Sequence, residues 1–196
     1  MSGSSPFDKR SDFFRQFFEL ARPYKEYVAT GTPQQQERWA ASEERASLTE
    51  GQRLLLAAFT RKLNVLVLSG TWCGDCIRQC PLIWEIEKAS SVIECRYIDN
   101  QQHPELRDEL RIAGGARVPV AVFLSEDFFE IARFGDRTLS EYKRKAATEL
   151  GPACDIGTST SKPEDTAEEL REWLEQFHRA QLVLRLSPFL RARHRD

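Results

Sequence analysis

Cys73, Cys76 and Cys80 fall within eight residues of one another in the stretch SGTWCGDCIRQCP, which runs from Ser69 to Pro81. Thiols this close can do three things. They can exchange with disulfides as thiolate nucleophiles. They can hold a soft metal. They can also fill a core as small apolar groups. Cys95 and Cys154 complete a set of five. An odd number, crowded at one place, does not fit a secreted disulfide scaffold, which is shorter and spreads its cysteines.

The spacing separates these chemistries. CGDC lies between an apolar β-branched run, NVLVLSG, and a segment with helical periodicity through Ile77, Ile83, Trp84 and Ile86. Cys73 then falls at a helix N-terminus, where unpaired N–H groups and the helix dipole favour an anion. This position is expected to lower its thiol pKa and make it the nucleophile. Cys76 lies one turn further on. A disulfide brings two Cβ atoms to about 3.8 Å, and the cap around Gly74 permits that approach. Cys76 and Cys80 are an i, i+4 pair with Cβ atoms roughly 5–6 Å apart, too far to bond without strain. The working pair is therefore Cys73 and Cys76. Asp75, two residues from Cys73, is expected to repel the thiolate and modulate its pKa.

A structural zinc site needs four ligands, and CGDC supplies two. No second CxxC and no H-x₃₋₅-H follows, and His103, His178 and His194 stand apart. No resident metal or cofactor is expected, a cluster bridged between two chains being the other arrangement weighed. Cys80 and Cys95 read as buried apolar thiols, with a spare thiol beside the disulfide as the alternative for Cys80.

The elements around the motif follow from period and punctuation. Phe13, Phe14, Phe17, Phe18 and Ala21 form a helical stripe, with Ser11 as its cap and a boundary at Arg22 before Pro23. Thr32–Gln35 and Thr49–Gln52 are capping boxes that open two further helices. Residues 64–70, 92–99, 118–124 and 128–134 read as strands. Helices fall at 74–90, at 103–112 ahead of Gly114-Gly115, and at 138–150 ahead of Gly151-Pro152. The order from residue 64 is β-α-β-α-β-β-α, an α/β fold with a central mixed four-stranded sheet. The polar stretch 155–163 is a linker, and Ser161 with Glu164 caps a last helix from about 162 to 186. That helix has an apolar face of Leu170, Trp173, Leu174, Phe177 and Leu184, and its charge runs from acidic to basic. The division expected is a helical extension over 1–46, the α/β domain over 47–150, a linker over 151–163, and a C-terminal helix with a basic tail over 164–196.

Composition bounds the partners. The chain has 196 residues, 41% hydrophobic and 30% charged, with a formal net charge of −2. That is ordinary for a globular protein and gives no global field toward nucleic acid or a membrane. Apolar runs are too short to span a bilayer, and the N-terminal residues show no leader pattern. A cytoplasmic location is expected.

The sequence WCGDC after an apolar strand resembles the thioredoxin active site, W-C-G-P-C, with Asp75 in place of the proline. It is similar to a bacterial thioredoxin-like branch that carries the WCGDC form. Pro81 sits where thioredoxins kink this helix, Asp99 ends the second strand, Val118-Pro119 resembles the family's cis-proline, and Gly135 fits the glycine after the last strand. The resemblance covers about residues 47–150 and implies a thioredoxin-like fold with extra helices at both ends. There are two departures. Val67 stands where thioredoxins bury an aspartate, and Cys95 stands where its lysine partner would be. The aspartate helps deprotonate the second cysteine in thioredoxins, so its loss bears on resolution.

The function this implies is thiol–disulfide oxidoreduction, as a disulfide reductase. Cys73 attacks and Cys76 resolves, while Trp72, Val118 and Pro119 shape the substrate groove. The substrates would be disulfide-bearing proteins or small thiols. Electrons would come from a separate reductase, because no nucleotide-binding glycine motif appears. The alternative is a thioredoxin-fold binding module whose added helices, with the Phe stripe and the tail Arg191, Arg193 and Arg195, serve a partner or a dimer; outside that alternative the Phe stripe is expected to pack on its own domain and the tail arginines to form a solvated end.

Overall fold

The computed structural model describes residues 8–150 and 166–195. Cys154, the linker and the Ser161–Glu164 cap lie outside the described residues. Helices α1 (Ser11–Leu20), α2 (Tyr24–Val28), α3 (Pro33–Glu43) and α4 (Glu50–Ala57) precede β1 (Leu63–Ser69). Then come α5 (Gly74–Lys88), β2 (Ile93–Asp99), α6 (Pro104–Glu109), β3 (Val120–Leu124), β4 (Glu130–Gly135) and α7 (Leu139–Glu149). The described chain closes with α8 (Thr166–Leu186) and α9 (Pro188–His194). The sheet order is β2-β1-β3-β4, with β1 parallel to β2 and antiparallel to β3, and β3 antiparallel to β4. This is the expected mixed four-stranded sheet. Among the described residues no helix is long and apolar enough to cross a membrane.

All seven residues of β1 are buried. A strand with partners on both edges and helices packed around it has no face for water, which is why VLVL is continuously apolar between Asn64 and Ser69. Asn64 and Ser69 are its buried polar residues; the Asn64 side-chain amide donates to the Ser125 carbonyl at 3.1 Å, and the Ser69 hydroxyl lies 3.6 Å from the Cys80 sulfur. The core is one cluster that runs from Phe14 in α1 to Leu190 in α9. The Phe stripe of α1 belongs to it: Phe14, Phe17 and Phe18 are buried in the protein's own core. They are therefore not a docking face, and that support for the binding-module reading falls away. The apolar face of α8 is buried as expected, with Leu170, Trp173, Leu174, Phe177 and Leu184 inside.

Several local expectations change. Ser11 is the first residue of α1, and the capping position is Arg10, which makes no side-chain cap hydrogen bond. Pro23 ends one helix and starts another: α2 follows at once, a short element whose tyrosines are buried against β2. Between them Arg22 exchanges backbone hydrogen bonds with Tyr97, at 2.9 and 2.7 Å, and covers the free edge of β2. β4 begins at Glu130, because Phe128 adopts φ 64° in the turn. The tail arginines are exposed, as expected, and the segment that carries them is a helix tied to its own chain. Ser187 caps α9, and Arg193 and His194 both reach Asp127, at 2.9 and 3.0 Å. Both threonine capping boxes form, at Thr32–Gln35 and Thr49–Gln52.

Candidate active site

The site is built where β1 ends and α5 begins. Cys73 is the N-cap of α5 in extended conformation, and its carbonyl accepts the first helical bond from Ile77 at 2.9 Å. Its sulfur is half-buried. The thiol donates to the Val118 carbonyl at 3.8 Å, across the mouth of the site. The Val118–Pro119 peptide is cis. Cys76 and Cys80 are wholly buried on α5, and both are free thiols, as are Cys73 and Cys95. Cys95 pairs with Val65 in the ladder, away from the site, and Val67 faces Tyr97.

Trp72 is 45% exposed beside Cys73. Its indole lies against Gly70, where an added Cβ would meet the ring at 2.9 Å and push it aside. The loop is tied from behind by Trp39 of α3, whose indole N–H donates to the Thr71 carbonyl at 2.9 Å. Gly74 has open space around its Cβ position, so no neighbour there requires a glycine.

On the other side Gly135 meets Pro119. A Cβ at Gly135 would stand 2.3 Å from the Pro119 carbonyl oxygen, and its φ is +147°. Only glycine lets β4 lie this close to the loop that carries Val118 and Pro119. Gln79 of α5 donates to the Asp136 carbonyl at 2.9 Å and accepts from the Trp173 indole at 3.2 Å. One buried amide thus joins the cysteine helix, the end of β4 and the C-terminal helix.

The thiols do not titrate as the helix terminus alone would set. Pairing with Cys76 is the largest influence on Cys73 and raises its pKa. Burial adds to the rise, and the backbone N–H groups of Cys76 and Asp75 pull it down without prevailing. Cys76 is also raised, by burial first, while its hydrogen bond with Cys73 lowers it. The expected lowering of Cys73 is therefore one pull within the site and not its net result. Two sulfurs that share a hydrogen bond titrate as a pair, so once one is a thiolate the other holds its proton more tightly.

Asp75 also differs from expectation. Its carboxylate is not a bare charge beside Cys73, because Arg137 holds one oxygen at 2.6 Å and Arg78 the other at 3.3 Å. Arg78 continues to Glu141 and Glu169, and Arg137 continues to Asp136. Burial alone would raise the Asp136 carboxyl, but the Tyr142 hydroxyl and the Arg117 guanidinium at 3.0 Å outweigh it and hold it low. A charge network that joins α5, the end of β4, α7 and α8 thus stands beside the cysteines. Repulsion of the thiolate by Asp75 is screened at source by two guanidinium groups.

Asp75→Asn still removes one negative charge, and it leaves Arg78 and Arg137 less compensated. The expected result is a lower Cys73 pKa, by about half a unit, with a loss of about 1 kcal/mol of stability from the broken pairs. The shift should depend weakly on salt, because the partners are partly buried. Thiolate absorbance against pH, wild type and variant at two ionic strengths, checks it. A Cys73 pKa that rises in the variant would count against this account.

The structure thus brings Trp72, Cys73, Gly74, Asp75, Cys76, Val118 and Pro119 together. Sequence reasoning missed Gln79, Arg117, Asp136 and Arg137, whose roles come from residues far apart in the chain. A polar residue inside an apolar helical face was the available signal for Gln79.

A family model described as Thioredoxin matches residues 21–143. The chain belongs to the thioredoxin family. The match takes in α2 and α3, outside the stretch on which the sequence resemblance rested. No curated protein matches the chain. A crystal structure of a protein of unknown function from Pseudomonas aeruginosa is similar, with a TM-score of 0.66 at 17% identity over 86% of this chain and 96% of that one. An HIV epitope-scaffold is similar too, with a TM-score of 0.58 at 19% identity over 86% of this chain and 92% of its own. The germline-specific thioredoxin Deadhead from Drosophila melanogaster aligns at 25% identity over 50% of this chain and 90% of its own, with a TM-score of 0.34. The two broader likenesses show a thioredoxin fold that extends into the outer helices.

Proposed function

We propose that the protein is a thiol–disulfide oxidoreductase that works as a disulfide reductase through Cys73 and Cys76. One observation carries this reading. The Cys73 sulfur sits half-buried at the start of α5, 3.8 Å from the Val118 carbonyl, with the buried Cys76 thiol one turn behind it. An incoming disulfide can reach Cys73 and not Cys76, which supports attack by the first and resolution by the second. The Cys73 thiolate attacks one substrate sulfur, the substrate S–S bond breaks, and one thiolate leaves. The Cys76 thiolate then attacks the Cys73 sulfur, forms the Cys73–Cys76 bond and releases the second substrate thiolate.

Trp72 and the Val118-Pro119 backbone form the walls of the groove. An extended substrate segment laid along that backbone would bind by strand addition. The substrates are disulfide-bearing proteins or small disulfides. A separate reductase returns the protein to the dithiol, in the cytoplasm of a bacterium that uses the WCGDC branch of the family. Reduction of insulin or glutathione disulfide, with a reductant regenerating the dithiol, tests the reading. Turnover that stops with Cys73→Ser is expected, and no turnover by the wild type would overturn it.

A further inference from the structure

The loop that carries Val118 and Pro119 brings a cation to the site. Arg117 directly precedes Val118, whose carbonyl receives the Cys73 thiol at 3.8 Å. The Arg117 guanidinium is anchored, because its Nη1 donates to the Asp136 carboxylate at 3.0 Å. Asp136 follows Gly135, which lies against Pro119. The anchor therefore holds the charge at the cis-proline end of the site. From there ion pairs continue from Asp136 to Arg137, from Arg137 to Asp75 and from Asp75 to Arg78. One end of this arc adjoins Val118 and the other lies in the CGDC turn. The arc is graded by depth. Asp136 is 3% exposed and Arg117 is 44% exposed. Glu141 and Glu169, which also hold Arg78, are buried, while Arg78 and Arg137 are partly exposed. Negative charge lies mostly inside and guanidinium groups outside. A guanidinium carries five N–H donors in a planar fork, and among the described residues Asp136 takes one of those on Arg117.

We propose that this rim selects polypeptide disulfides whose cysteine is flanked by an acidic residue, with Arg117 as the residue that determines the preference. The inference rests on the dithiol function proposed above. An extended segment laid along the Val118-Pro119 backbone passes Arg117 within a residue or two of its own cysteine, because Arg117 is one residue before the carbonyl that meets Cys73. A carboxylate at that point can accept the N–H groups that Asp136 leaves, and the planar fork matches its two oxygens. Asp136 does not cancel the attraction. It is buried behind Arg117 and shares its charge with Arg137 and the Tyr142 hydroxyl. A basic flank meets Arg117 as a like charge and is disfavoured. The rim acts on the binding of the segment and adds no step to the exchange of sulfur bonds.

Three peptide disulfides test it, each a symmetrical dimer through a single cysteine and identical except that Glu, Gln or Lys stands on both sides of that cysteine. The reduced full chain is mixed with each peptide, quenched with acid and alkylated, and mass spectrometry gives the rate at which it is oxidised. Each rate is divided by that of dithiothreitol with the same peptide, which removes the intrinsic reactivity of the disulfide. At low ionic strength the Glu peptide should be favoured over the Gln peptide about fivefold, the scale of a half-exposed charge pair, and the Lys peptide disfavoured by a similar factor. Both ratios should fall toward one at high salt. Arg117→Gln should bring the Glu-to-Gln ratio below twofold, and Arg117→Lys should keep most of it. The ratio cancels any general loss of attack in a variant. Arg171→Gln, which removes an exposed cation paired with Glu175 on α8, should leave the ratio unchanged. A wild-type ratio below twofold overturns the preference. A ratio that survives Arg117→Gln, or falls equally in Arg171→Gln, overturns the role of Arg117. If Arg117→Gln does not fold, the wild-type ratios and their salt dependence decide. A wild-type protein that none of the three peptides oxidises overturns the dithiol reading itself, a failure distinct from that of the preference.

Discussion

Cys73→Ser abolishes disulfide reduction, and Cys76→Ser stops it halfway with substrate still attached. The expected loss in turnover for Cys73→Ser is at least a thousandfold, because the half-buried sulfur at the start of α5 is the one that substrate can reach and a serine hydroxyl does not exchange with disulfides. Cys76→Ser leaves attack intact and removes resolution, so mixed disulfides accumulate and can be released by added reductant. Both changes are near-isosteric, and neither should unfold the chain. Mass spectrometry of the trapped species, with and without reductant, reads the result. Turnover by Cys73→Ser within tenfold of wild type would move the nucleophile elsewhere. Partners that bind Cys76→Ser and resist reductant would favour the binding-module reading.

Gly135→Ala costs about 2–4 kcal/mol of stability and lowers the rate of attack by Cys73 in whatever fraction stays folded. The new Cβ would stand 2.3 Å from the Pro119 carbonyl oxygen and 3.0 Å from the Val120 Cα. Both are backbone atoms, and they cannot turn aside as a flexible side chain would. The φ of +147° adds a conformation that alanine rarely adopts. Relief requires the Val118-Pro119 loop to shift, and that loop holds the carbonyl which receives the Cys73 thiol. Urea unfolding gives the stability, and first-phase thiolate release gives the attack rate. A loss below about 0.5 kcal/mol, with attack unchanged, would show that β4 accommodates a side chain there.

The fold was legible where period and punctuation agreed. Continuous apolar strands, two threonine capping boxes and a glycine at the end of β4 each have a local physical cause, and each appears at its expected place. Errors came where a local signal had two readings. Pro23 marks a boundary, but a proline also suits the start of a helix, so α2 was hidden behind it. The Phe stripe also had two readings, and there the expected one, packing on its own domain, is the one observed. The tail arginines could not show Asp127 waiting for Arg193.

The candidate site divides in the same way. The sequence by itself determined which two thiols can pair, because separation along one helix sets the distance between Cβ atoms, and it placed them after a buried strand. Only the tertiary structure decided their electrostatics. The expected repulsion by Asp75 assumed a free carboxylate, and Arg137, sixty-two positions further on, holds that carboxylate at 2.6 Å. The expected lowering of Cys73 assumed the helix terminus acting alone, and a neighbouring thiol reverses it. Arg22 meets Tyr97, seventy-five positions further on, and ties the N-terminal segment along β2, a pairing that nothing local to either residue announces. Electrostatics depend on distances of a few ångströms between residues far apart in the chain. Local spacing fixes distances within an element, and the packing of elements fixes the rest.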